Sequence, residues 1–200
     1  MCSSDLPGTS VLSGTFDGIA RVEAALSAAG IACKRLETSH AFHSSMMDSI
    51  LPAFDAAVAS TRRSAPTRPF ISNLTGRPMT ADDATSTRYW VNHLREAVRF
   101  ADGLTAATTT PGAAVLEVGP GKTLLGFAKR ILRKDGRPLV ATLRTRTDET
   151  ADLRVLMQAI GTLWVSGVAV NWSALHRDER RLRVPDRKST RLNSSHGYIS

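Results

Sequence analysis

Residues 116–131 read LEVGPGKTLLGFAKRI. An apolar run over 115–118 meets a Gly-Pro-Gly turn. Apolar residues at helical spacing then follow over 122–133, so the stretch reads as strand, tight turn and helix. A second apolar run at 138–143 reads as a further strand. A helix between two strands predicts the α/β class.

Working toward the N-terminus, 99–108 and 85–94 (TSTRYWVNHL) read as helices, PFISN as a strand, and TGRP as a turn. Residues 65–69 are a Pro-rich connector. A helix is expected from the end of the HAFH stretch to about residue 60, with Pro52 kinking or splitting it. Ser45 and Asp48 form an S-x-x-D capping box at its start. Met46, Met47, Ile50, Phe54, Ala57 and Val58 form its apolar face. Residues 31–36 alternate as a half-buried strand would. Residues 16–30 read as a helix with Ile19, Val22 and Leu26 on one face and Gly30 as its stop. Residues 10–13 read as a short strand. Toward the C-terminus, 151–167 forms an amphipathic helix with Leu153, Leu156, Ile160 and Trp164 on its inner stripe. VNWSAL is short and apolar, and ERRLR is linker-like.

The chain has 200 residues, 42% hydrophobic and 22% charged, which suits one ordinary soluble domain with a core of its own. No run is long enough to span a bilayer, and the first residues lack the basic and apolar regions of a signal peptide. Two cysteines, Cys2 and Cys33, make no disulfide framework, so a reducing cytoplasm is the expected compartment. A net charge of +8 favours acidic or phosphate-bearing partners without choosing among them. Residues 186–200 (DRKSTRLNSSHGYIS) resemble the translation of a sequencing-library adapter, and MCSSDL resembles the same adapter read from the opposite strand. Residues 1–6 are therefore read as a scar and 186–200 as an adapter-like disordered tail, leaving 7–185 as an internal slice.

Three motifs compete for the chemistry. VGPGKT approaches a phosphate loop, but the first glycine of that pattern would fall at Leu116, so a tight strand-to-helix turn fits better. The helix start there could still lie near a charged ligand. His40 and His43 stand as H-x-x-H, without the i, i+4 spacing and third ligand of a helical zinc site, so no metal is expected. A histidine just before a helix can be held by a carbonyl on one ring nitrogen and act as a base through the other.

Four segments in order, RLETSHAFHSSMMDS, ISNLTGRP, YWVNHLREAVRF and LEVGPGKTLLGFAKRI, resemble the C-terminal half of the malonyl-CoA:acyl carrier protein acyltransferase family. They look most like the acyltransferase domain of modular type I polyketide synthases. The opening SVLSG…AALSAAGIACKRL is similar as well, and VLMQAIGTLWVSGVAVNWSAL with RRLRVP resembles the linker after such a domain. The resemblance covers about residues 8–185. It implies a partial α/β-hydrolase-like acyltransferase body with part of an inserted ferredoxin-like subdomain. Residues 7–38 would belong to the subdomain, 39–148 to the body and 149–185 to the linker.

The same resemblance implies a two-step transfer. A serine in a GHSxG elbow takes malonyl from malonyl-CoA and passes it to the phosphopantetheine thiol of an acyl carrier protein. His43 matches the base. His93 matches the position whose main-chain carbonyl orients that base, so its side chain would be replaceable. Phe42 matches a substrate-selecting position: HAFH accompanies malonyl-CoA and YASH methylmalonyl-CoA. No GHSxG occurs in this chain, and the family's oxyanion-region Gln and malonate-binding Arg lie upstream of what is present. The slice is therefore expected to be inactive alone, to bind no cofactor, and to need the N-terminal half of the domain as partner. Open sheet edges would leave it aggregation-prone or molten. Ala97 stands where the family favours Pro. A basic nucleic-acid-binding module and a non-catalytic docking segment are the rival readings. Dispersed Lys and Arg speak against the first, and 150–185 suits the second. No nucleic-acid or membrane partner is expected.

Overall fold

The computed structural model describes residues 8–36, 38, 40–132 and 136–176. The scar-like ends at 1–6 and 186–200, and the last part of 149–185, lie outside the described residues.

The strand–helix–strand reading is realised. β1 (Val115–Glu117) pairs in parallel with β2 (Leu139–Ala141), Leu116 opposite Val140, and α6 (Thr123–Leu132) connects them. Val115 N–H donates to Pro138 O at 2.8 Å and Thr142 N–H to Glu117 O at 3.1 Å, closing the pair at both ends. Ala128 of α6 and Val140 of β2 are buried at its centre. α7 (Asp152–Val165) packs on β2 through Ala159, which is also buried. Its inner stripe differs from the expected one: Leu153 and Trp164 are mostly exposed, and the buried face centres on Ala159. α8 (Trp172–Leu175) follows, with Trp172 edge-on to Trp164.

A helical layer stands beside this unit. Pro52 does split the helix after HAFH: Ser45–Ile50 is a 3-10 turn and α2 is Leu51–Ala59, with Pro52 in its first turn, where a missing N–H costs nothing. The cap is Ser44 rather than Ser45. Ser44 has extended backbone and its hydroxyl accepts from Met46 N–H, whereas Ser45 is already helical. Met47 is buried, but Met46 and Ile50 face outward, so only part of the expected apolar face packs. The helix expected at 85–94 forms as α4 (Thr87–Arg95), preceded by a short α3 (Ala81–Thr85) from which Ser86, with an extended ψ of 127°, separates it. α5 (Phe100–Ala107) joins the two halves, with Phe100 edge-on to Phe127 of α6.

The expected strand at 69–73 shrinks to one bridge, Ile71 to Pro78. Pro78 has no N–H to extend a ladder. The turn it closes is pressed against α5: Arg99 N–H donates to Asn73 O at 2.8 Å. Gly76 there has φ +67°, and a Cβ on it would stand 2.6 Å from Asp102 Cβ. Only glycine fits both the backbone and the space.

Residues 10–13 and 31–36 are not strands. α1 (Phe16–Ala28) forms as expected, but 31–36 are exposed throughout. An alternating run becomes a strand only beside a neighbour that bonds its edge, and none is present among the described residues. No helix among them is long and apolar enough to cross a membrane.

Candidate active site

His43 adopts φ +57°, the only positive value among the described residues other than glycine. Such backbone is costly for a side-chain-bearing residue and persists where its surroundings enforce it. Here Ser44 enforces it. Its hydroxyl donates to Ala41 O at 2.6 Å while accepting from Met46 N–H at 3.2 Å, and the residue is 1% exposed. One buried hydroxyl thus closes the loop before His43 and caps the turn after it. Met47 then anchors that turn in the core.

The ring is fixed from the other side. His43 Nδ1 lies 2.8 Å from Glu96 O. A carbonyl only accepts, so Nδ1 carries the proton of the neutral imidazole and Nε2 presents a lone pair. That is the tautomer a general base needs.

The carbonyl belongs to Glu96, not to His93. His93 sits inside α4, where carbonyls run along the helix axis. Glu96 is the residue just past the helix. Its N–H still donates to Asn92 O at 2.8 Å, but its extended backbone (φ −86°, ψ 163°) turns its own carbonyl aside.

His93 meets His43 through its side chain instead. The two rings stand edge to face with centroids 6.2 Å apart. His93 also stacks on Tyr89 at 6.3 Å, and the Tyr89 hydroxyl shares a 2.6 Å hydrogen bond with buried Ser72. Ser72 Oγ further accepts from Leu74 and Thr75 N–H, so this support runs back into the Phe70–Met79 turn. The His93 side chain is thus part of a packed layer behind His43.

Burial holds the His93 pKa below its ordinary value, and the neighbouring His43 adds to the effect. The unfolded chain, titrating near 6.5, takes up this proton before the folded one. Stability from His93 is therefore complete above about pH 6.5 and is lost as pH falls below it, levelling off under the lowered folded value. In an acyltransferase containing this chain, urea midpoints should fall between about pH 7 and 5.5, and His93→Gln should flatten that slope. An equal slope in both proteins would refute the assignment.

Phe42 precedes His43 in the chain. The residue is 46% exposed, and its ring lies 6.0 Å from the ring of His40. The loop that first suggested a phosphate site is occupied by the chain itself. Glu117 accepts from Leu124 N–H at 3.2 Å and Leu125 N–H at 2.9 Å, so its carboxylate fills the helix start where a charged ligand was expected. Gly121, at φ +96°, allows the bend and donates to Arg144 O at 3.1 Å. Among the described residues no group of three or more His, Cys, Asp or Glu is placed to hold a metal.

Comparison with known proteins agrees with this geometry. The chain is 37% identical over 169 residues to polyketide synthase GfsA of Streptomyces halstedii, covering 84% of this chain and 2% of that protein. The solved acyl transferase domain of ZmaA superposes with a TM-score of 0.82 at 31% identity, over 92% of this chain and 42% of that one. The malonyl-CoA:ACP transacylase of Synechocystis sp. PCC 6803 superposes with a TM-score of 0.59 at 25% identity, over 70% and 47%. The chain thus spans less than half of each of these two solved chains. Its own residues 1–170 match the family model described as the acyl transferase domain, and this chain belongs to that family.

Proposed function

We propose that this chain is the C-terminal part of a polyketide synthase acyltransferase that moves malonyl units from CoA to an acyl carrier protein, with His43 as general base. The observation that carries the reading is the 2.8 Å contact of His43 Nδ1 with Glu96 O, which leaves Nε2 free to take a proton. The nucleophilic serine would come from the N-terminal half of the domain. His43 Nε2 would take the serine proton as the oxygen attacks the thioester carbonyl, then return it to the departing CoA sulfur. In the second half-reaction it would take the proton of the phosphopantetheine thiol, and the released serine oxygen would recover it. The malonyl transacylase likeness and the HAFH sequence support malonyl as the acyl group.

The test is a labelling experiment. The 200-residue chain alone, given radiolabelled malonyl-CoA, should acquire no label and pass none to holo-carrier protein. An acyltransferase polypeptide that includes this chain should be labelled on serine and transfer the label. Labelling of the short chain would overturn the outside serine, and a longer polypeptide inert to every acyl-CoA would overturn the proposal.

A further inference from the structure

The charged pair Arg95–Asp48 stands out by where it sits. Arg95 Nε donates to Asp48 Oδ1 across 47 positions of sequence. The ion pairs Arg35–Glu23, Arg99–Asp102 and Arg144–Asp152 join residues 12 or fewer apart. Arg95 is the last residue of α4, directly before Glu96, whose carbonyl holds the His43 ring. Asp48 belongs to the 3-10 turn that begins immediately after Ser44, the residue that locks His43 at φ +57°. The pair therefore ties together the two backbone segments that carry the donor and the acceptor of the His43–Glu96 hydrogen bond.

Its exposure argues against a role in stability. The two side chains are 31% and 55% exposed, and pairs so open to water add little to folding. Position is another matter. A displacement of about 1 Å at a catalytic group can cost on the order of a hundredfold in rate. A loose helix end would let the Glu96 carbonyl drift and the imidazole rotate.

We propose that Arg95 and Asp48 are positioning residues, a clamp that sets the His43–Glu96 distance. The proposal rests on the reading of His43 as base.

The experiment compares malonyl transfer and thermal midpoints in the acyltransferase polypeptide that includes this chain. The variants are Asp48→Asn, Arg95→Gln, the exchanged pair Asp48→Arg with Arg95→Asp, and His43→Ala. Each single clamp variant should lose about ten- to a hundredfold in kcat, with KM and the thermal midpoint nearly unchanged. The exchanged pair should recover most of the lost kcat, because the attraction is restored with its ends reversed. Single variants within about twofold of the parent in kcat would overturn the clamp. So would a fall in kcat that follows the melting temperature and is not recovered by exchange. Loss of transfer in His43→Ala beside normal Asp48→Asn would remove the clamp and leave the base standing. Retained transfer in His43→Ala would remove both.

Discussion

Replacing His43 with alanine should lower malonyl transfer by the intact acyltransferase about 10²- to 10⁴-fold while leaving KM for malonyl-CoA close to its parent value. The size follows from the role. On the proposed mechanism one imidazole would handle the proton in both half-reactions, so acylation of the serine and its discharge to the carrier thiol should slow together. Stability should hardly move. Alanine meets the same backbone cost at φ +57° as histidine does. The loop remains closed by Ser44, whose bonds to Ala41 O and Met46 N–H do not involve the ring. The Glu96 carbonyl that loses its donor belongs to an exposed residue and can turn to water. The check is a single-turnover measurement of acyl-serine formation, followed by carrier-protein discharge, in parent and variant of equal melting temperature. Partial recovery by added imidazole would identify the missing group as the base. A variant that keeps more than about a tenth of the parent rate would place the base elsewhere.

The parts of this molecule that the sequence foretells are those where residue type and backbone state are tightly linked. The unit β1–α6–β2 is legible because two apolar runs flank a glycine turn and a helical period. Pro52 announces the split before α2 for the same reason, since no other residue lacks the N–H. The parts that depend on a neighbour are not legible. Residues 31–36 alternate like a strand, yet remain exposed and unpaired in the ladder sense. Only part of the expected α7 stripe packs, with Leu156 and Ile160 half-buried beside Ala159 while Leu153 and Trp164 stay exposed, because VLMQAIGTLWV is apolar nearly all round and its period alone cannot fix the buried face. The site divides in the same way. His43 is readable only through its company in four ordered motifs. Glu96 is invisible, because its contribution is a main-chain carbonyl that every residue type carries. Its position is set by where α4 stops, and nothing at residue 96 itself announces that. Arg95–Asp48 and Ser72–Tyr89 are long-range contacts that no local pattern encodes.

Substrate choice should shift when the loop is rebuilt at two positions. Phe42 is nearly half exposed, so packing within this chain does not consume it. The other side of the ring leans on His40, 6.0 Å away and tilted by 55°. His40 is thus a ring neighbour of Phe42. If Phe42 is the selecting residue that the HAFH resemblance implies, its ring would crowd a substituent on the acyl α-carbon, and a single methyl clash is worth about 1–3 kcal/mol. Phe42→Ser alone opens that space. Phe42→Ser with His40→Tyr also replaces the support that no longer has a ring to hold. We expect the ratio of kcat/KM for methylmalonyl-CoA over malonyl-CoA to rise about tenfold or more in the double variant, and less in the single one. The rise should come from better use of methylmalonyl-CoA, with malonyl loading retained, because His43 and its carbonyl partner are untouched. Competition between the two thioesters at equal concentration, read by mass spectrometry of the acyl-enzyme, measures the ratio directly. An unchanged ratio would remove Phe42 as the selectivity wall. A loss of both activities together would show that the His40–Phe42 contact supports the His43 loop itself.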